Sequence, residues 1–284
     1  MEKLLLLAEG SAFEDSSFDL RALESTLTNY RQLIDHTLPI SLGHRSLTPR
    51  TKREIEYSAK IENGSLRVVL EFLVEHPEVL TLLAVDGGNQ LAAVVAKLVR
   101  DAVVLRRAVT KILDMGNQPK IQADANADQS IKAEINNSTV TINNPQIIMV
   151  ANSTRPAVDR MIRSLDGDQI RKLKISERDT EVELTPDDLP LTTVRKEELD
   201  RSINLLGRLD MVSFSAHRGN IVSSGTRYPV FWEERLRGKI REFADRDDVM
   251  FVVKPVIDAR RFDREPVGLH VLDCYVPQDD LDLS

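Results

Sequence analysis

The sequence predicts an α+β protein built from several parts. Three patterns carry this prediction: apolar residues at three- and four-residue spacing between Ser16 and Leu38, apolar alternation on both sides of Asn63-Gly64, and a β-rich final block. The chain has 284 residues, of which 42% are hydrophobic and 29% charged. This composition excludes a disordered chain and allows one large domain or two to three small ones.

The N-terminal unit is predicted over residues 1–115. It begins at Leu4–Ala8 with a short apolar run, which is predicted to be a strand because it lacks the long apolar stretch and the cleavage site of a signal peptide. The helix between Ser16 and Leu38 follows. The segment Glu54–Phe72 is predicted to be a hairpin, because Asn-Gly at 63–64 supplies the positive φ angles of a tight turn.

The most unusual stretch follows Pro77. From Val79 to Leu113, 22 of 35 residues are Ala, Val, Leu or Ile. A helix over 77–114 is either a core helix with a polar stripe in water, or an oligomerising or membrane-inserting helix. The 21 residues Val79–Val99 would span about 30 Å as a helix, which matches the core of a bilayer. In the second case a few polar residues would face a partner helix or a pore, and these candidates are Asp86, Gln90, Lys97, Arg100 and Asp101.

Residues 116–130 are polar and are predicted to be a linker. A ββαβ unit is predicted over 131–190, with a hairpin at Ile131–Ile142, a helix beginning near Pro156, and strands at Lys172–Ile175 and Glu181–Leu184.

The C-terminal domain, over 191–284, has the strand count of a small barrel of the oligonucleotide-binding or SH3-like kind. Two helices are predicted in it, at Arg195–Leu206 and Glu233–Phe243. Its predicted strands are Leu209–Phe214, Tyr228–Trp232, Val249–Asp258 and Gly268–Val276.

Two groups of basic residues are candidate binding sites, although the net charge of −7 excludes a uniformly basic surface. The first group could hold a phosphate-rich ligand beside a helix N-terminus, or be a solvated helix face, and comprises Arg155, Arg160, Arg163, Arg171, Lys172 and Lys174. The second combines positive charge with aromatic rings, as single-strand-binding surfaces do, and comprises His217, Arg218, Arg227 and Tyr228. Phe231 and Trp232 are expected in the barrel core.

No pattern of catalytic or metal-binding residues is complete. The one cysteine, Cys274, excludes a disulfide framework and fits a reducing interior. The five histidines have no metal-ligand spacing. Gly10-Ser11 and Asp19 lack the second carboxylate of a two-metal nucleotidyltransferase site. We therefore expect no enzymatic activity, no metal and no cofactor, with an enzyme dependent on Asp19 as the least favoured alternative.

The layout resembles a family of bacterial proteins associated with anti-phage operons. The shared parts are the first strand and helix, the hairpin around Glu62-Asn63-Gly64-Ser65-Leu66, the apolar segment with Gly-Gly, the hairpin Ile131–Ile142 with its Arg-rich helix, and the C-terminal β-domain. Over most of the chain this layout is similar to that of Hailong-type effectors. The resemblance implies an oligomeric membrane channel controlled by an oligonucleotide messenger that a partner nucleotidyltransferase makes.

These observations lead to two hypotheses. The first is a non-enzymatic, homo-oligomeric effector or sensor of anti-phage defence, cytoplasmic or associated with the inner membrane, which binds a nucleotide or oligonucleotide and acts through the 77–114 helix. The second is a soluble adaptor that binds a protein partner or single-stranded nucleic acid through the C-terminal domain.

Overall fold

The chain folds into two compact units, Met1–Thr193 and Val194–Ser284. The computed structural model describes residues 3–13, 19–43, 58–62, 65–71, 91–124, 131–134, 137–263 and 265–277. Helices and strands are both abundant, which confirms the α+β class.

The first unit contains eight described strands and four described α-helices. The strands are β1 (Lys3–Glu9), β2 (Ser58–Glu62), β3 (Ser65–Glu71), β4 (Lys120–Ala123), β5 (Ile131–Glu134), β6 (Thr139–Ile142), β7 (Lys172–Glu177) and β8 (Thr180–Leu184). The helices are α1 (Leu20–Ser41), α2 (Leu91–Asp114), α3 (Gln146–Ser153) and α4 (Arg155–Arg163). A 3-10 segment, Pro186–Thr192, follows β8.

Five of these strands form an antiparallel sheet in the order β2-β3-β1-β7-β8. Glu62 lies opposite Ser65, so the hairpin predicted around residues 63–64 is confirmed. The sheet joins the segments 1–115 and 131–190, which were expected to be separate, because β1 pairs with both β3 and β7.

One face of this sheet packs against helices. Strand residues alternate between faces, and Leu4, Leu6 and Ala8 of β1 point to the helical side, where α1, α2 and α4 complete the core. Helix α1 begins at Asp19, whose carboxylate accepts hydrogen bonds from the N–H groups of Arg21 and Ala22 at 2.8 and 3.1 Å. Asp19 is therefore a helix cap.

The expectation of one long apolar helix over 77–114 is not supported. Helix α2 begins at Leu91, while residues 72–90, including Asp86 and Gln90, lie outside the described residues. Most of the surface of α2 is buried in the first unit, and its exposed residues follow one stripe through Val94, Lys97, Val104 and Lys111. None of the described helices has the length and apolar character needed to cross a membrane.

A small three-stranded sheet lies between α2 and α3 in the sequence. β5 and β6 pair antiparallel, which confirms the predicted hairpin, and β4 pairs parallel with β6. Residues 120–123 of the expected linker are therefore a strand, whereas 125–130 lie outside the described residues.

The second unit is a closed five-stranded barrel with one additional strand, β9. Its elements are β9 (Lys196–Glu198), β10 (Ile203–Ser213), β11 (Arg218–Ser223), β12 (Thr226–Trp232), α5 (Arg237–Glu242), β13 (Val249–Asp258) and β14 (Pro266–Tyr275). The strand order is β10-β11-β12-β14-β13, and β13 pairs back with β10. β12 and β14 are parallel. The predicted C-terminal barrel is confirmed.

The predicted helix at Arg195–Leu206 is wrong, because this segment forms β9 and the start of β10. Leu199, Ile203 and Leu206 have helical spacing, but closure of the barrel pairs residues 203–207 with β13, and tertiary context overrides the local pattern. Gly207 lies where β10 changes partner from β13 to β11. A Cβ atom on Gly207 would lie 2.4 Å from the carbonyl oxygen of Val222, so the close approach of the two strands requires glycine.

Candidate functional site

A groove of about 450 Å³ lies on the outer wall of the barrel, over β11, β12 and β14. Its lining includes Met211, Asn220, Pro229, Phe231 and Gly268. Gly268 has no side chain to fill the groove, and a Cβ atom there would lie 3.4 Å from the carbonyl oxygen of Pro229. The result is a concave surface of the size that small ligands occupy.

The alternation of β12 explains why an aromatic ring stands in this groove. Val230 and Trp232 are buried in the barrel core, and Tyr228 packs against that core. Pro229 and Phe231 therefore point outward. The expectation that Phe231 and Trp232 both belong to the core is correct for Trp232 and wrong for Phe231, since adjacent strand residues face opposite sides.

Phe231 belongs to a row of side chains that crosses four strands. Arg218 of β11 lies opposite Phe231, Phe231 lies opposite His270 of β14, and His270 lies opposite Lys254 of β13. The outer face of the barrel thus carries, in order, a guanidinium, a benzyl ring, an imidazole and an ammonium.

The middle of this row is fixed by stacking and hydrogen bonds. The rings of Phe231 and His270 are parallel within 8°, with centroids 4.9 Å apart. His270 Nδ1 lies 2.6 Å from Glu198 Oε2, and Lys254 Nζ lies 3.1 Å from Glu198 Oε1. An ionised carboxylate only accepts hydrogen bonds, so Nδ1 is the protonated nitrogen. The hydrogen bond from His270, supported by Lys254, holds the pKa of Glu198 below its ordinary value.

The charged residues that line the groove are Lys196 and Arg218, and both are cations. Neither lies within ion-pair distance of a carboxylate in the described part of the chain. Lys196 Nζ lies 5.9 Å from the centroid of the Phe231 ring. Two cations without carboxylate partners beside an aromatic ring favour an anionic ligand with a flat apolar part.

Met211 borders the groove in an uncommon backbone conformation. Its φ is +52°, it lies in a bulge between Asp210 and Ser213, and its side chain is 72% exposed. A strained, exposed apolar residue beside a concave surface is typical of binding sites.

The four residues predicted for a nucleic-acid surface separate in the structure. Arg218 lines the groove. Arg227 instead pairs with Asp210 at 2.5 Å, His217 pairs with Glu234, and Tyr228 packs against the barrel core.

Sequence reasoning missed Lys196, Glu198, Asn220, Lys254 and His270. The alternation of residues along β12 could have placed Phe231 outside and Trp232 inside the barrel. The row from Arg218 to Lys254, however, depends on strand pairing that the sequence does not reveal.

The first basic group is not brought together, because its residues lie in different layers. On α4, Arg155 Nε lies 3.6 Å from Asp159, Arg160 donates to Asn29 at 2.8 Å, and Arg163 donates to the carbonyl of Thr192 at 3.0 Å. These side chains lie in the helical layer and are engaged within the unit.

Lys172 and Lys174 lie on the opposite face of the sheet. They alternate along β7 with Leu173 and Ile175, which point to the helices. Lys172 pairs with Glu9 at 3.1 Å and Lys174 with Glu181 at 2.5 Å. The backbone N–H of Arg171 donates to the backbone carbonyl of Glu9 at 2.7 Å. The six residues therefore form no common ligand site.

A buried network of arginines on α2 was also missed by sequence reasoning. Arg106 is 5% exposed and donates to Asp159 and to the carbonyl of Leu191. Burial lowers its pKa, and Asp159 offsets part of that effect. Arg100 pairs with the buried Asp101 at 2.8 Å. Arg106 thus links α2 to α4 and to the 3-10 segment, whereas the Arg100–Asp101 pair lies within α2. The described residues contain no cluster of three potential metal ligands.

Comparison with known proteins adds no relative on which to base a function. No protein-family model matches this chain, and neither the curated proteins nor the solved structures gave a match.

Proposed function

We propose that the C-terminal barrel binds single-stranded nucleic acid or a short oligonucleotide through the groove around Phe231. The observation that carries this proposal is the groove itself, which is lined by an outward-facing aromatic ring and by two cations without carboxylate partners, Lys196 and Arg218. Phosphates would contact the two cations and a base would stack on the ring, which is how sequence-tolerant single-strand binding works.

The topology of the barrel supports the same ligand. Its strand order, the parallel pairing of β12 with β14, and the helix between β12 and β13 match the oligonucleotide-binding fold. In that fold the ligand face covers the second and third strands, here β11 and β12, together with nearby loops. The groove lies on this face. Fold alone does not determine function, so the proposal rests on the side chains of the groove.

The size of the groove favours a single strand over a duplex. Its volume of about 450 Å³ suits one base with its phosphates rather than a whole helix. Bases of a duplex are stacked on each other and paired, and could not also stack on Phe231. The proposal includes the oligonucleotide ligand of the effector hypothesis. The oligomerising role of the 77–114 helix has no support in the described part of that segment, which packs within the first unit.

The test is fluorescence anisotropy with a labelled single-stranded DNA of about 12 nucleotides and the matching duplex at low salt. We expect the single strand to bind more tightly than the duplex. Phe231→Ala should weaken binding of the single strand by about 5- to 150-fold, because a stacked base contributes about 1 to 3 kcal/mol.

The matched control is Arg246→Ala, which removes a cation that pairs with Asp248 and does not line the groove. This variant should bind as the wild type does, whereas Arg218→Ala should bind less tightly. Equal affinities of the wild type, Phe231→Ala and Arg218→Ala would contradict the proposal, as would the absence of binding at tens of micromolar protein.

A further inference from the structure

The ring of Phe231 is supported on one face by a chain of three polar side chains. His270 stacks on the ring at 4.9 Å, Glu198 accepts from His270 at 2.6 Å, and Lys254 donates to Glu198 at 3.1 Å. His270, Glu198 and Lys254 do not line the groove. Arg218 of β11 is the strand partner of Phe231 on its other side, and Lys196 Nζ lies 5.9 Å from the centroid of the ring.

We propose that His270 is a positioning residue for the groove, which holds the Phe231 ring at the angle a stacked base requires and couples ligand affinity to pH. This inference rests on the proposed function, since it concerns how the same groove binds its ligand. Glu198 fixes the plane of the imidazole through its hydrogen bond to His270, and Lys254 holds Glu198 in place.

The positioning role follows from the freedom of an outward-facing phenylalanine. A side chain on the surface of a sheet can rotate about χ1 and χ2 unless a neighbour restricts it. The imidazole supplies a parallel surface on one side, and it cannot rotate freely because Glu198 holds Nδ1. A ring that is already fixed loses less conformational entropy when a base stacks on it, so its affinity is higher.

The coupling to pH follows from charge. Since Nδ1 already donates to Glu198, a second proton binds at Nε2 and leaves the stack in place. The charged groups facing His270 are Glu198 from β9 and Lys254 from β13, while β12 contributes the uncharged Phe231. With neutral His270 the Glu198–Lys254 pair carries no net charge. Protonation adds one positive charge beside the groove, so affinity for a phosphodiester rises as pH falls.

The test uses a single-stranded DNA that contains 2-aminopurine, whose fluorescence falls when the base stacks on an aromatic ring. The dissociation constant and the quenching are measured at about pH 8 and about pH 5.5, because histidine is the side chain that serves as a switch near neutral pH. For the wild-type chain we expect quenching at both pH values. Its dissociation constant should be about three- to tenfold lower at the acidic one, as one added charge near a phosphate predicts.

Three variants separate the two roles of His270. His270→Phe keeps a stacked ring, so quenching should persist while the pH dependence disappears. His270→Ala should lose the pH dependence and weaken both quenching and binding. His270→Gln keeps a donor for Glu198 without a ring, should behave like the alanine variant, and carries the test if His270→Ala does not fold.

The inference is overturned if the wild type binds and quenches but His270→Ala and His270→Gln match it, or if His270→Phe keeps the pH dependence. Failure of the proposed function is distinguished by a measurement without ligand. In the free protein, the NMR ring-proton shifts of Phe231 should change in His270→Ala, because the ring current of the stacked imidazole is lost. If they do and no oligonucleotide binds, the contact stands and the binding proposal fails; if they do not, the positioning role itself is refuted.

Discussion

Both carboxylate oxygens of Asp188 accept hydrogen bonds from Arg107, from Nε and from Nη2, each at 2.7 Å. The same guanidinium donates to the carbonyl of Glu183 at 2.5 Å, and Asp188 also accepts from the N–H of Thr185 at 3.1 Å. One arginine on α2 thereby fixes β8 and the 3-10 segment that follows it. Such bidentate pairs are directional as well as strong.

Removal of this guanidinium should destabilise the first unit. Arg107→Ala leaves Asp188 buried without its partner, and we expect a loss of about 1 to 3 kcal/mol in the free energy of unfolding. Urea unfolding followed by circular dichroism measures the loss. Lys97→Ala, on the exposed stripe of the same helix, should change the free energy of unfolding by less than about 0.5 kcal/mol. Equal midpoints for the two variants would show that the bidentate pair contributes nothing.

Gly207 should tolerate no side chain. Because a Cβ atom there would lie 2.4 Å from the carbonyl oxygen of Val222, Gly207→Ala must force β10 and β11 apart. We expect a loss of about 2 kcal/mol or more in barrel stability. Gly238→Ala is the control, since Gly238 lies in α5 with no atom within 4 Å of the added Cβ, and helix propensity predicts a gain of up to about 1 kcal/mol. Thermal unfolding compares them, and similar melting temperatures would refute the steric argument.

Two neighbouring arginines should differ in their effect on oligonucleotide affinity. Arg218 lines the groove, whereas Arg227 is neutralised by Asp210 at 2.5 Å. Arg218→Ala should weaken single-strand binding and reduce the slope of log K against log salt concentration by about 0.7, the value for one lost phosphate contact. Arg227→Ala should leave that slope unchanged. A salt titration by anisotropy measures both, and a larger effect of Arg227→Ala would place the ligand elsewhere on the barrel.

A carboxylate introduced into the groove should repel the ligand. Asn220 lines the groove, so Asn220→Asp places a negative charge beside the expected phosphate positions. We expect affinity for single-stranded DNA to fall about tenfold at low salt. Asn204→Asp makes the same change at an exposed position of β10 outside the groove and should have little effect. The same loss in both variants would reflect net charge rather than a local site.

The stability of the second unit should depend on pH through Glu198. Its pKa lies below the ordinary value of 4.5 because His270 and Lys254 stabilise the carboxylate. The ionised form therefore stabilises the fold, fully above the ordinary pKa, and this contribution is lost as pH falls through the lower folded pKa. Between about pH 6 and pH 3, Glu198→Gln should lose less unfolding free energy than the wild type. Parallel pH profiles would show that Glu198 contributes nothing to acid sensitivity.

Local patterns in the sequence were sufficient for the hairpins, for helices α1 and α4, and for most barrel strands. The hairpin of β2 and β3, for example, depends on neighbouring residues and one tight turn. Local patterns failed at Arg195–Leu206, where apolar residues with helical spacing form strand because β13 pairs with them. The helix predicted over 77–114 is supported only as α2, which begins at Leu91. Residues 77–90 lie outside the described residues.

The candidate site was harder to predict, because it consists of residues far apart in the sequence. Lys196, Arg218, Phe231 and His270 meet only through the pairing of β11, β12, β13 and β14 and the addition of β9. The density of arginines and lysines over 155–174, by contrast, was visible in the sequence but misleading. Alternation along β7 and the packing of α4 send those side chains to different layers.

The position of β1 between β3 and β7 has a consequence for synthesis of the chain. On the ribosome, β1 emerges long before the strand that covers its second edge, which begins at Lys172. At about 5 to 20 residues per second, that edge waits on the order of 10 to 30 seconds for its partner. During this interval Leu4 and Leu6, which end up fully buried, are part of an incomplete sheet. A nascent chain stalled before residue 172 is therefore the form of this protein that we expect chaperones to hold.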